Sequence, residues 1–234
     1  MTDALIIPFS KEQELVITVD NSGAIGEKKK DVVQTSNQVV GQFACRVALM
    51  EMYAAYGKPT AIIMQNFTSE EAWFDYKRGV QEVLKDAGVS DLPITGSTES
   101  NFPGIQSAFG LTMIGIREKR ERTEWPGKEA FAVIGTPFVG EEVLNHQEVI
   151  PPVKLLKEFT EREEVVGVQP VGSKGIQRAY ERWTGRGDKL VSTLDLEKTA
   201  GPATCFLIAY HEEQFEQVRR LGGELFHQLK IDQT

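Results

Sequence analysis

Three carboxylates stand at places where an acid could do chemistry. Asp20 ends the alternating run "ELVITVD" and precedes a glycine-spaced basic turn, "NSGAIGEKKKD". Glu51 falls four residues after Val47 and eleven after Val40, so a helical wheel puts it on or beside an apolar stripe. A charge there costs free energy unless it is paired, metal-bound or able to reach solvent. Glu99 lies in "PITGSTESNFPG", where Gly96 and Gly104 bracket Ser97, Thr98, Glu99, Ser100 and Asn101. Polar loops of this kind leaving a strand often turn backbone N–H groups toward phosphate. Hard oxygen ligands on separate elements suit magnesium, which takes one or two protein carboxylates plus nucleotide phosphates and water. Plainer roles stay open for each: a turn cap at Asp20, a solvent-reaching edge position at Glu51, a surface loop at Glu99. Convergence of the three would make a nucleotide site, and one alone would not.

The elements that must position them alternate. "ELVITVD" places Leu15, Ile17 and Val19 on one strand face, and helical spacing runs from Gln38 to Tyr56 before Gly57 and Pro59. "TAIIMQNF" is a strand, and a helix follows with Ser69 as N-cap and Gly88 as C-terminal cap. "LPITG" and "SAFGLTMIGI" are two further strands. This gives a β-α-β-α-β-β layer with a four-stranded sheet in residues 1–117. The charged, turn-rich stretch 118–129 is expected as a solvated linker. A smaller, shortened α+β unit over 130–234 follows, ending in the strand "ATCFLIAY" and the helix "HEEQFEQVRRLG".

The 234 residues carry a formal net charge of −8, which argues against general nucleic-acid binding while leaving room for a local anion site. No apolar run approaches the ~20 residues of a membrane helix, and the N-terminus has no signal-peptide pattern, so a cytoplasmic location is expected. Cys45 and Cys205 sit in apolar sequence without metal-ligand spacing and read as reduced core thiols.

The order "ITVD", "GQFACRVALMEMYAAYGKPTAII", "GVQEVLKDAGVSDLPITGSTES" resembles the N-terminal domain of the aminoimidazole ribonucleotide synthetase (PurM-like) superfamily, which includes thiamine-monophosphate kinase and selenophosphate synthetase. "KTAGPATCFLIAYHEEQFEQVRRL" resembles the last strand and helix of that family, so the likeness runs nearly end to end. Within it, "DNSGAIGEKKKDVV" and "GSTESNFP" look most like the short alpha-ribazole kinases of Firmicutes. The resemblance implies an α+β PurM-like fold, ATP and Mg2+ as cofactors, and a homodimer through the N-terminal sheet. It implies metal ligation by Asp20, Glu51 and Glu99, which match the three acidic places of the family. It also implies ATP contacts at Asn21, Gly23, Gly26 and Lys28 in a flexible loop, and at Gly96, Ser97 and Thr98. Asp31 is the candidate general base. Lys174, in "PVGSKGI", stands where the family carries an aspartate and is the candidate phosphate contact. The implied activity is phosphorylation of alpha-ribazole, an uncharged nucleoside. The alternatives are another ATP-dependent enzyme of the superfamily, such as a cyclo-ligase or thiamine-monophosphate kinase, and a nucleotide-binding regulator without turnover.

Overall fold

A computed structural model describes residues 3–89, 92–102, 104–120 and 127–232. The chain divides into two units, one from Asp3 to Lys119 and one from Arg120 onward. Half of the expected linker, residues 121–126, lies outside the described residues.

The first unit is a five-stranded sheet, β1 (Leu5–Pro8), β2 (Gln13–Gly23), β5 (Lys58–Asn66), β6 (Ile94–Thr98) and β7 (Ala108–Glu118), in the order β1-β2-β7-β5-β6. Neighbours are antiparallel except β5 and β6. The sheet thus has one strand more than expected: "LIIP" is too short for a period to show, and pairing with β2 is what makes it a strand. Two short segments, β3 (Ile25–Gly26) and β4 (Val33–Gln34), pair parallel to each other beyond the end of β2.

Helix α1 (Asn37–Ala54) starts where the Ser36 hydroxyl accepts the Val39 N–H, and α2 (Glu70–Asp86) where Ser69 accepts the Ala72 N–H. Each satisfies one of the orphan donors of a first turn. The two helices touch backbone to backbone. A Cβ on Gly41 would collide with the Tyr76 carbonyl, and one on Gly79 with the Gln38 carbonyl.

The α1 side of the sheet is closed by Val16, Thr18, Ile62, Met64, Phe109, Leu111 and Met113, all buried. Leu15, Ile17 and Val19 share one strand face as expected, and it is the side away from α1, where Val19 is 60% exposed. The helix-covered side of β2 carries Glu14, Val16, Thr18 and Asp20, a less apolar set, so alternation alone did not tell which face a helix covers. On that open side Leu15, Ile17 and Val19 register with Ile116, Ile114 and Thr112 of β7, and with Ile7 and Leu5 of β1.

The second unit holds β8 (Glu129–Gly135), α3 (Glu141–Asn145), α4 (Val153–Thr160), β9 (Val165–Pro170), α5 (Gly175–Thr184), β10 (Leu190–Val191), β11 (Cys205–His211), α6 (Phe215–Gly222) and β12 (Phe226–Ile231). Its sheet runs β10-β12-β8-β11-β9, antiparallel throughout. α6 therefore does not close the fold, because the polar "FHQLKI" returns as β12 between β10 and β8. Phe131, Val133, Leu207, Ala209, Ile176 and Tyr180 form its core. Cys45 and Cys205 are both buried, and burial pushes the Cys45 thiol up to about 12. Among the described residues no helix is long and apolar enough to cross a membrane.

Candidate nucleotide site

β2 continues three residues past Asp20, so this carboxyl lies inside the strand rather than at its end. It shares the helix-covered side with Thr18. Burial pushes its pKa up to about 7, with a hydrogen bond to the Asn21 backbone pulling partly back. Desolvation penalises the charged form, and a bound cation would offset that cost.

Glu51 is also buried, on α1, but at a different level. The Thr18 hydroxyl donates to the Ala48 carbonyl, and the Met52 sulfur occupies the space beside Gly57 and Gly115, the latter paired with Val16. α1 therefore runs antiparallel to β2, and Glu51 is level with Val16, about 13 Å along the strand from Asp20. Glu99 is exposed just beyond β6. Its N–H donates to the Asn66 carbonyl and its Oε1 accepts the Asn101 N–H at 2.7 Å. Asp20, Leu111, Met64 and Gly96 are successive partners across four strands, which puts Gly96 about 14 Å from Asp20. The three acids are not gathered into one cluster. Among the described residues no group of three or more His, Cys, Asp or Glu could hold a metal ion.

What the structure does bring together is the basic turn and the loop before β7. Asp31 is buried, and its Oδ1 accepts the Ser107 N–H while its Oδ2 accepts the Ser107 hydroxyl and the Lys28 N–H. Lys28 Nζ donates to the Gly104 carbonyl at 2.8 Å, and Gln106 Nε2 to the Lys30 carbonyl at 2.7 Å. Gln34 Nε2 donates to the carbonyls of Lys28 and Asp31, closing the turn from its far side. Gly26 is at φ +152° with Ser107 against it, a position that favours glycine, because a Cβ would lie 2.5 Å from the Ser107 hydroxyl. The loop expected to be flexible is thus a bonded frame, leaving Lys29 and Lys30 exposed.

Beneath the frame, Thr68 Oγ1 meets the Tyr76 hydroxyl at 2.7 Å and accepts the Ala108 N–H. Burial and, to a smaller degree, the charges of Asp31 and Glu27 hold the Tyr76 pKa above its usual value. Asp31, the expected general base, is held by three of this chain's own donors, one on Oδ1 and two on Oδ2, and so also positions the turn.

Asn21 and Gly23 are exposed on β2, and Gly96 and Ser97 on β6, while Thr98 Oγ1 accepts from Asn66 Nδ2. A Cβ on Gly96 would collide with the Met64 carbonyl, so this glycine serves strand packing whatever else it does. Lys174 belongs to the second unit, exposed at the cap position of α5. Sequence reasoning passed over Ser107, Asn66 and Thr68, buried polar residues at strand ends. A polar side chain at the boundary of an apolar run was the available signal.

No family model matches the sequence, and no curated protein is detectably similar to it. Solved structures are. PurL of Thermotoga maritima complexed with AMPPCP superposes with a TM-score of 0.65 at 10% identity, over 96% of this chain. Thiamine monophosphate kinase from Aquifex aeolicus superposes with a TM-score of 0.66 at 12% identity, over all of this chain and 89% of its own. The chain spans 41% of the PurL chain's length. At such identities the likeness is one of fold, and the fold is PurM-like, a mixed α+β architecture.

Proposed function

We propose that this protein is an ATP- and magnesium-dependent small-molecule kinase whose acceptor is the 5′-hydroxyl of alpha-ribazole. The observation that carries the reading is the Asp31–Ser107 frame, which fixes a lysine-bearing turn beyond the end of the strand that holds the half-buried Asp20. Solved enzymes of the same fold lend support, since one is described with AMPPCP and another as a thiamine monophosphate kinase. Phosphoryl transfer asks little covalent chemistry of a protein and much positioning and charge stabilisation.

In this reading Asp20, and not a three-carboxylate cage, is the protein's main ligand to magnesium, in keeping with an ion that takes one or two carboxylates. A magnesium ion held there with ATP would supply neutralisation of the charge developing on the transferred group. Lys29 and Lys30 face the phosphates, Asp31 and Ser107 keep the turn in place, and Gly96 to Thr98 border the site. The γ-phosphorus forms a bond to the acceptor oxygen as its bond to the β,γ-bridging oxygen breaks. ADP leaves and the hydroxyl proton passes to solvent.

The test is phosphorus NMR of purified protein with ATP, magnesium and one acceptor at a time: alpha-ribazole, thiamine monophosphate or formylglycinamidine ribonucleotide. Alpha-ribazole 5′-phosphate is expected to accumulate fastest. Faster turnover of either phosphorylated substrate would replace this acceptor assignment, and nucleotide binding without any turnover would favour a regulator.

A further inference from the structure

Four large apolar side chains stand out of the same hydrogen-bonded frame. Phe102 is 79% exposed, Val32 77%, Ile105 76% and Phe67 53%. One such residue on a surface needs no explanation, but a group on adjoining loops does. Their backbones are tied together. A Cβ on Gly104 would lie 3.6 Å from the Phe67 carbonyl and 3.5 Å from Lys28 Nζ, and the Phe67 N–H donates to the Ala108 carbonyl. Val32 follows Asp31, which Ser107 binds, and its N–H donates to the Ala24 carbonyl. Phe67 and Val32 therefore sit on bonded backbone, Gly104 between Phe67 and Lys28 ties in the loop that carries Ile105, and Phe102 is two residues before Gly104. Two phenyl faces beside cations suit a ligand with a flat uncharged ring at one end and negative charge or hydroxyls at the other.

We propose that Phe67, Phe102 and Ile105 form a stacking platform for the ring of a nucleoside, with Lys29 and Lys30 beside it toward the ribose or phosphate end. The proposal rests on the kinase reading only for which nucleoside is held, acceptor or ATP. The shared chemistry is a flat heteroaromatic ring. Phe102 and Ile105 come from one loop and Phe67 from the end of β5, so the platform has two independent sides.

Calorimetric titration of the whole protein with alpha-ribazole, ATP and ring-free ribose 5-phosphate tests it, using the parent, Phe102→Ala, Phe67→Ala and Phe102→Tyr, with sedimentation run in parallel. Each alanine variant is expected to bind one of the two nucleosides about 5- to 150-fold more weakly, the range for losing one base–aromatic stack. Phe102→Tyr should keep the parent affinity, and ribose 5-phosphate should not distinguish the proteins. Which nucleoside loses affinity identifies the ring the platform holds. Unchanged nucleoside affinity in both alanine variants overturns the platform, as does a change of oligomeric state alone. The kinase reading fails separately, if affinity depends on Phe102 yet no phosphate is transferred. Absence of nucleoside binding to the parent removes both.

Discussion

Asp31 and Ser107, 76 residues apart, are joined by two hydrogen bonds of 2.7 Å, one to the serine N–H and one to its hydroxyl. Both are buried, so Asp31→Ala leaves the N–H groups of Ser107 and Lys28 without an acceptor. One such orphan costs about 1–3 kcal/mol. We expect Asp31→Ala to lower unfolding stability by at least about 2 kcal/mol. A double-mutant cycle with Ser107→Ala should give a coupling of about 0.5–3 kcal/mol in urea denaturation. A loss below about 0.5 kcal/mol in Asp31→Ala, with no coupling to Ser107→Ala, would show that the frame does not depend on this pair.

Asp20 predicts a pH dependence of unusual sign for a carboxyl. Its native pKa is raised to about 7 from 3.8, so between those values the native state binds more protons than the unfolded chain. Stability then falls as pH rises through that window, and the cost is fully present above pH 7. Asp20→Asn has no charge to bury. Its melting temperature should exceed the parent's at pH 8, and the difference should shrink toward pH 4. Magnesium should raise the parent's melting temperature at pH 8 and leave Asp20→Asn unmoved. An equal offset at every pH would show that the carboxyl does not titrate in this range.

Much of the scaffold was legible before the structure. The periodic runs from Gln38 and from Ser69 became α1 and α2, with Ser69 capping as expected, because a helix announces itself through local spacing and a local cap. β1 and β12 were not legible. "LIIP" is a strand because it folds back on β2 across a four-residue turn, and "FHQLKI" because the distant β8 pairs with it. At the site, Asp20 stood out for its type and place, but its burial depends on α1 crossing the sheet. The Asp31–Ser107 bond could not be read at all, since nothing local in "EKKKDVV" points to a serine in the loop before β7.

The α1–α2 crossing gives a direct stability test. A Cβ on Gly79 meets the Gln38 carbonyl and comes within 2.8 Å of the Gln42 nitrogen, both backbone atoms that cannot yield separately. Gly79→Ala should cost about 3 kcal/mol or more, the upper end for overpacking. Gly88 sits at φ +69° with open space around it, so Gly88→Ala should cost only the backbone penalty of about 1–2 kcal/mol. Equal losses in chemical denaturation would mean that the helices adjust without strain.

The last prediction concerns the open side of the first sheet. Leu5, Ile7, Leu15, Ile17, Val19, Ile114 and Ile116 lie on that side in register, and Leu5, Ile7 and Val19 are well exposed. A face so apolar would be a liability for an isolated molecule, and a second copy can cover it by an isologous contact, each protomer presenting the same strands. We expect a homodimer at micromolar concentration, held by an interface above about 2,000 Å² as in obligate pairs. Ile17→Lys and Ile114→Glu place charges at positions directly opposite on neighbouring strands. Each alone should shift sedimentation to the monomer while leaving the circular dichroism spectrum unchanged. The two together put opposite charges side by side on the same protomer, and a partial return of the dimer would show that charge at the interface, not misfolding, broke it. A parent protein that sediments as a monomer would remove the dimer altogether.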